Sequence, residues 1–169
     1  EGAVLNKFSS VNNDFRIYVG KIGERGKLGI AFGDGVYLVS TGYYYSKSLN
    51  RTYQYSLTPV ASGGPVLESH GINIGFNKRI FDMDIVFGKD RFLTVWTERD
   101  LFVQDFHNFI TGTWIMGVEF EIGGGSDVLP FQISKRPGGV HRPSAGWDGT
   151  QFVVVGERMR RRSLTDLTS

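Results

Sequence analysis

The fold of this chain is decided by one short pattern that occurs three times: FGDGVYLV (residues 32–39), FGKDRFLTV (87–95) and WDGTQFVVV (147–155). Each copy has an aromatic residue, a turn rich in Gly and Asp, and a second aromatic residue five positions after the first. The second aromatic opens a run of β-formers. The first aromatics lie 55 and then 60 residues apart. This period is typical of arrays of four-stranded units, so a repeat protein is predicted.

The composition favours an all-β protein. Gly accounts for 23 of the 169 residues and aromatic residues for 14% of them, and no stretch has the pattern of a helix of even three turns. Turns rich in Gly between runs of aromatic and β-branched residues are typical of β-sheet proteins. The chain is long enough to bury one core, so a single domain is predicted over residues 1–169.

Charge and cysteine content exclude several classes of function. The 19 basic and 17 acidic residues give a formal charge of +2, which does not favour nucleic acid as a partner. The absence of cysteine excludes a disulfide scaffold, a thiolate metal site and a cysteine nucleophile. No apolar run approaches the ~20 residues that a membrane-spanning helix needs, so no membrane span is predicted.

Each copy of the pattern predicts part of a four-stranded unit. First strands are predicted at 28–32, 80–87 and 144–147, and second strands at 36–41, 92–97 and 152–156. Third strands are predicted at 52–58, 100–105 and around 160–164, and fourth strands at 66–76 and 113–122. Antiparallel units of four strands that recur along a chain predict the blades of a β-propeller, and a blade needs neighbours to cover its faces.

The predicted ring is incomplete. The prediction places blade-completing strands in 1–27, repeat one in 28–79, repeat two in 80–139 and a partial repeat three in 140–169. Known propellers have about four to eight blades, so we expect self-association or the remainder of a longer chain to close the ring. Residue 1 is Glu rather than Met, and we therefore expect a processed or excised chain. The alternative fold is a β-sandwich built from repeated hairpins, which needs no partner.

The segment Ser144–Gly156 carries a family resemblance. Its apolar pair, aromatic residue, Asp-Gly turn and Phe-Val-Val-Val-Gly run resemble the repeats of sialidase-like propellers. In that family the segment is followed by a Ser-x-Asp-x-Gly-x-x-Trp turn called an Asp box. The stretches 103–108 and 163–169 resemble degenerate Asp boxes that lack the glycine. The resemblance extends over most of residues 28–169 and implies a propeller fold.

Four arginines form the first candidate ligand site. In a propeller, the loops between second and third strands and the loops between blades open on one face, where ligands usually bind. Such loops are predicted at 42–45, 98–100, 157–158, 78–79 and 141–142. They carry Arg79, Arg99, Arg142 and Arg158, whose guanidinium groups suit a carboxylate, sulfate or phosphate. Sialidases hold the carboxylate of their substrate with an arginine cluster, so the resemblance implies the same ligand class.

An alternative interpretation of these arginines follows from their neighbours. Glu98 and Asp100 flank the candidate ligand residue Arg99, and Glu157 directly precedes Arg158. Exposed ion pairs of this kind contribute about 0–1 kcal/mol and are common on protein surfaces. The sequence therefore leaves open whether the arginines bind a ligand or form solvated pairs.

Aromatic residues form the second candidate ligand site. Tyr43, Tyr44 and Trp114 carry rings that could stack on the apolar face of a sugar. Trp96 is instead predicted to fill the space between blades, because large aromatic residues dominate protein cores. No catalytic residue, metal ligand or cofactor is predicted from the spacing of His, Asp and Glu.

Two functions are consistent with these features. The first is a non-catalytic recognition or structural propeller module that binds glycans or other anionic ligands, at the surface of a cell or particle. The second is a portion of a sialidase-like glycoside hydrolase, in which a Tyr/Glu pair and an Asp perform the chemistry. No set of acid, base and nucleophile can be named in this sequence, so the non-catalytic module is favoured.

Overall fold

A computed structural model describes the backbone of residues 3–10, 13–19, 28–47, 50–64, 66–76, 78–104, 107–124, 128–134 and 140–158. Side chains are described for residues 29–41, 55–64, 66–72, 74, 78, 80–99, 112–124, 128–134 and 140–158. The regular structure in these ranges is all β-strand. The prediction of an all-β protein is confirmed.

Within the described residues, twelve strands form four antiparallel sheets. The strands are β1 (Ala3–Ser10), β2 (Asn13–Val19), β3 (Leu28–Gly33), β4 (Val36–Lys47), β5 (Asn50–Ala61), β6 (His70–Phe76), β7 (Lys78–Gly88), β8 (Arg91–Gln104), β9 (His107–Glu121), β10 (Phe131–Gln132), β11 (Val140–Trp147) and β12 (Phe152–Arg158). The first sheet has the order β3-β4-β5-β6 and the second the order β7-β8-β9-β10. β1 and β2 form an N-terminal hairpin, and β11 and β12 form a C-terminal hairpin.

The strand boundaries of the second sheet differ from the prediction. The segment 100–105, predicted as a third strand, instead belongs largely to the end of β8, which continues past a β-bulge between Asp100 and Leu101. The predicted fourth strand at 113–122 lies in β9, the third strand, and the fourth strand is the short β10. The charged residues at 98–100 suggested a loop, but cross-strand pairing with β9 continues as far as Gln104. The third strand predicted around 160–164 lies outside the described residues.

Tight turns connect the first two strands of each unit. Gly33 pairs with Val36, which leaves Asp34 and Gly35 as a two-residue loop with φ angles of 49° and 72°. Two positive φ angles define a type I′ turn, whose twist matches that of the flanking strands. Lys89 takes a φ of 59° in the corresponding turn between β7 and β8. These turns place the two aromatic residues of each copy directly opposite each other.

The aromatic residues of each copy form a cross-strand pair. The ring centroids are 4.7 Å apart in the first copy and 4.9 Å apart in the second and third copies. The pairs are Phe32 with Tyr37, Phe87 with Phe92, and Trp147 with Phe152. Centroid distances of this size are typical of favourable aromatic contacts. The repeat seen in the sequence is therefore also a repeat in three dimensions.

Consecutive units contact each other through an aromatic ring and a glycine. A Cβ atom built on Gly33 would overlap the ring of Phe87, and a Cβ atom built on Gly88 would overlap the ring of Trp147. Each glycine therefore makes room for the first aromatic residue of the next unit. We call this arrangement the ring-on-glycine contact. It occurs at the same position of the repeat in both cases, and it places the turns of the three units at the same end of the sheets.

The hydrophobic core lies between the first and second sheets. Tyr55 of β5 and Trp96 of β8 are fully buried, with ring centroids 5.1 Å apart. Burial raises the pKa of the Tyr55 phenol. Leu38, Leu57 and Phe92 are also fully buried in this cluster. The prediction that Trp96 fills the space between units is confirmed.

The C-terminal hairpin packs on β7, β8 and β9 through β11. Asp84 of β7 links the two layers, because its Oδ2 accepts hydrogen bonds from the Ala145 amide at 2.9 Å and the Ser144 hydroxyl at 3.0 Å. β7 and β11 also share a bulge at the same position of the repeat. The extra residue of each bulge, Asp82 or Arg142, has a positive φ angle. The first sheet, the second sheet and the C-terminal hairpin are thus stacked on one another, and the described strands do not themselves form a closed ring.

Candidate functional site

The seven predicted ligand residues all lie away from the turns that carry the ring-on-glycine contacts. β7 and β11 run toward those turns, so Arg79 and Arg142 lie near their starting ends. β8 and β12 run away from the turns and carry Arg99 and Arg158 in their later residues. Tyr43 and Tyr44 of β4 and Trp114 of β9 also lie on the side away from the turns. We call this side of the stack the arginine end.

The segments predicted as loops at the arginine end are strand residues. Residues 42–45 belong to β4, 98–100 to β8 and 157–158 to β12. Residues 78–79 begin β7, and 141–142 lie in β11. The prediction of loops at these positions is wrong, because these segments lie in paired strands: 42–45 pair with β5, 78–79 with β8, 98–100 with β9, and 157–158 with β11.

Register brings Arg79 and Arg99 together. The two residues are directly opposite each other in the pairing of β7 with β8. The Arg99 guanidinium carbon lies 4.1 Å from the centre of the Phe81 ring, a cation–π distance. The side chains of Arg79, Tyr43 and Tyr44 lie outside the described set. Trp114 of β9 is opposite Glu98 in register, and its side chain is half-buried.

A buried carboxylate lies beside this arginine pair. Lys78 Nζ donates to Glu98 Oε1 at 2.6 Å, and the Glu98 side chain is only 4% exposed. The Lys78 side chain is 38% exposed, so it carries its charge to the edge of the sheet. Sequence reasoning placed Glu98 among solvated loop charges. That interpretation is wrong for Glu98, because β8 continues through it and turns its side chain inward.

The C-terminal hairpin presents two of the candidate arginines to solvent. Arg142 Nη1 is 3.4 Å from Glu157 Oε2, and the Arg142 side chain is 67% exposed. His141 Nε2 lies 3.6 Å from the same carboxylate oxygen. Arg158 is exposed at the end of β12. Arg142 protrudes because it is the extra residue of the β11 bulge, and bulges commonly redirect a side chain in this way.

A groove lies at the turn end of the stack, opposite the arginine end. It has a volume of about 460 Å³ and lies between the C-terminal hairpin and the second sheet. Its apolar lining includes Leu93, Phe131, Ile133, Phe152 and Val154, and Lys89 and Gln151 lie at its polar part. Sequence reasoning did not identify the groove. Its lining combines residues 88–93, 119–133 and 147–154, which lie in different units, and the sequence pattern does not predict β10.

The turn of the C-terminal hairpin is organised by Asp148. Its Oδ1 accepts hydrogen bonds from the Thr150 amide, the Thr150 hydroxyl and the Gln151 amide, all at 2.8 Å. These donors, led by the Gln151 amide, lower the pKa of Asp148 from 3.8 to about 2. Because the pKa of Asp148 is lower in the folded state, its carboxylate stabilises the fold at every pH above the unfolded-state pKa. This stabilisation is lost as the pH falls through about 2.

The first testable prediction is therefore a pH dependence. We expect Asp148→Asn to melt at a lower temperature than the wild type at pH 7, because the asparagine lacks the charge that strengthens these hydrogen bonds. The difference should shrink as the pH falls from about 4 to about 2, where Asp148 becomes protonated. Thermal denaturation followed by circular dichroism across this pH range measures the effect. Thr150→Val, which removes one donor, should give a smaller difference of the same sign, and a difference that is constant from pH 7 to 2 would contradict the prediction.

No group of three or more His, Asp and Glu side chains suited to a metal ion occurs among the described residues. The described ranges also contain no helix that is long and apolar enough to cross a membrane. Comparisons with protein-family models, with curated proteins and with solved structures find no match to this chain.

Proposed function

We propose that the chain is a set of β-propeller blades that acts as a non-catalytic recognition or structural module. The observation that carries this proposal is the ring-on-glycine contact, which joins consecutive units at the same position twice. Contacts only between neighbouring units are typical of repeat proteins, in which each unit needs the next one to bury its faces. Two further faces of the stack have exposed apolar residues, and they would be covered in a ring.

The first of these faces belongs to β3. Ile30 is 42% exposed and Phe32 is 54% exposed, while Gly29 and Gly33 of the same strand face the second sheet. The second face belongs to β12, where Val153 and Val155 are 42% and 61% exposed. β3 belongs to the first unit of the stack and β12 to the last described one. In a propeller each of these strands would face a neighbouring blade.

The ligand proposed for this module is an anionic glycan bound at the arginine end. Arg142 and Arg158 are exposed there, and Arg79 and Arg99 are cross-strand neighbours. Guanidinium groups bind carboxylate and sulfate through paired hydrogen bonds. Glu157 is a surface partner of Arg142 at 3.4 Å, and exposed pairs of this kind are weak enough for a ligand anion to compete.

Binding to an acidic glycan array tests this proposal. We expect sialylated or sulfated glycans to bind, and Arg142→Ala to weaken binding by about tenfold, the effect of one lost charge-assisted hydrogen bond. Lys89→Ala is the matched control, because it removes the same charge at the opposite end of the stack. Equal loss in both variants, or no binding of any anionic glycan, would overturn the ligand proposal.

A hydrolysis assay distinguishes a non-catalytic module from a portion of a glycoside hydrolase, the two functions with which the sequence is consistent. A non-catalytic module leaves a fluorogenic sialoside intact. Release of the fluorophore by the purified chain, retained after further purification and lost in Arg142→Ala, would instead favour the glycoside hydrolase.

A further inference from the structure

The first strands of the second and third units carry a charged residue at the same β-bulge. The extra residue is Asp82 in β7, five positions before Phe87, and Arg142 in β11, five positions before Trp147. Their φ angles are 35° and 49°. A bulge re-aims the side chain of its extra residue, and bulges are common beside functional sites.

The backbone at these two positions favours a residue other than the ones present. A positive φ angle suits glycine best, and the chain has glycine at other such positions, including Gly35, Gly123 and Gly149. Asp tolerates this conformation better than most residues, whereas a long side chain such as that of Arg is uncommon in it. Residues held in such conformations cluster at ligand-binding sites. The repeated bulge therefore indicates that the two charged side chains are used.

Asp82 and Arg142 lie at the same height on neighbouring strands. β7 and β11 pack against each other, and both run toward the turns. Asp84 Oδ2 accepts a hydrogen bond from the Ser144 hydroxyl at 3.0 Å, and each of these residues lies three positions before the first aromatic residue of its unit. The bulge residues lie two positions farther from the turns on each strand. They therefore belong together at the arginine end.

Carboxylates surround Arg142. Glu157 Oε2 lies 3.4 Å from its Nη1 atom. The half-buried Asp82 has the corresponding position on the neighbouring strand, and Asp84 is bonded to Ser144 two residues farther along β11. One carboxylate of a ligand can pair with the guanidinium group, but further anionic groups beside it would meet these side chains. Like charges that are brought together lower the affinity of a complex.

We propose that Asp82 is a further ligand-contacting residue of the arginine end and selects carboxylated sugars with free hydroxyl groups over densely sulfated ones. Arg142 binds the sugar carboxylate, and Asp82 accepts hydrogen bonds from the neighbouring hydroxyls. A carboxylate has about four acceptor positions, so Asp82 can accept from a ligand as well as from donors of the protein. A sulfate ester in place of such a hydroxyl has no proton to donate and repels Asp82. The inference rests on the proposed function, because it takes the arginine end to be the glycan site.

Two oligosaccharides with the same backbone test this selection. One is an unsulfated chondroitin hexasaccharide, which has a carboxylate in every disaccharide, and the other is its oversulfated form. Isothermal titration calorimetry should show that the wild type binds the unsulfated form about tenfold more tightly. Asp82→Asn should weaken binding of the unsulfated form by about tenfold, the effect of a lost charge-assisted hydrogen bond, without weakening binding of the oversulfated form. A wild-type preference for the oversulfated form, or an unchanged preference in Asp82→Asn, would overturn the proposal.

Two further variants separate ligand binding from a structural role of Asp82. Asp34→Asn is the matched control, because Asp34 is exposed at the turn end and also has a positive φ angle, of 49°. It should bind both oligosaccharides as the wild type does. Asp82→Gly removes the carboxylate and suits the positive φ angle, so it should lose the preference with little change in the midpoint of urea denaturation. A large fall in that midpoint would show that the fold requires Asp82, and would overturn the proposal.

The outcomes also separate this inference from the proposed function. A chain that binds other anionic glycans but neither chondroitin form would overturn the selection by Asp82 alone. A chain that binds no anionic glycan would overturn the proposed ligand as well.

Discussion

Replacing Gly33 with alanine is expected to destabilise the folded chain by about 3 kcal/mol, the upper part of the range for overpacked cores. The new Cβ atom would overlap the Phe87 ring, and the ring has little room to move because it packs edge-on against Phe92 at 4.9 Å. Urea denaturation followed by tryptophan fluorescence measures the loss as a lower midpoint with an unchanged slope.

Gly71→Ala is the control for the Gly33 prediction. Gly71 also lies in a strand, but a Cβ atom there would have no neighbour within 4 Å. Its replacement should change the free energy of unfolding by less than about 1 kcal/mol. Phe87→Ala should remove most of the additional cost of Gly33→Ala, and a double-mutant cycle measures this coupling. Equal effects of Gly33→Ala and Gly71→Ala, or additivity with Phe87→Ala, would show that the ring does not depend on the glycine.

Replacing Lys78 with methionine is expected to cost about 2 kcal/mol. The substitution removes the ammonium group that lies 2.6 Å from Glu98 Oε1 and leaves a carboxylate that is only 4% exposed. Loss of one partner from a fully buried pair costs about 3–5 kcal/mol, and the estimate is lower here because Lys78 is itself 38% exposed. Equilibrium unfolding in urea at neutral pH is the measurement.

The double variant Lys78→Met with Glu98→Leu provides the control. An ion pair replaced by apolar residues of similar volume is often neutral for stability, so the double variant should be more stable than Lys78→Met alone. A double variant that is less stable than Lys78→Met would mean that Glu98 contributes through contacts other than Lys78, and would contradict the explanation by an unpaired charge.

The sequence predicts the turns and first strands of the units well, because they depend on local chemistry. The Asp34-Gly35 pair requires positive φ angles and therefore marks a hairpin wherever it separates runs of β-formers. The aromatic residues five positions apart become cross-strand partners for the same reason. Local chemistry does not predict the third and fourth strands of the second unit, because β8 continues through the charged residues at 98–100. Pairing with β9 determines that continuation, and local composition does not reveal it.

The candidate sites also combine features that the local sequence predicts with features that depend on contacts between distant strands. The position of the arginine end follows from strand direction, which the alternating repeat predicts. The burial of Glu98 and the cation–π contact of Arg99 depend on the face of β8 that each side chain occupies. The sequence predicts a loop at these residues, and a loop assigns no side chain to a sheet face. The groove was not predicted at all, since it arises between units whose strands are distant in sequence.

The ring-on-glycine contact gives the stack a polarity. The first and second units each turn a glycine toward the following unit, and the second and third units each turn an aromatic ring toward the preceding one. The two ends of a stack are consequently different surfaces, and two chains can continue the series only head to tail. Asp148 takes the place of this glycine in the third unit, so a unit that followed it would meet a Cβ atom and a carboxylate where the earlier units offer an open glycine.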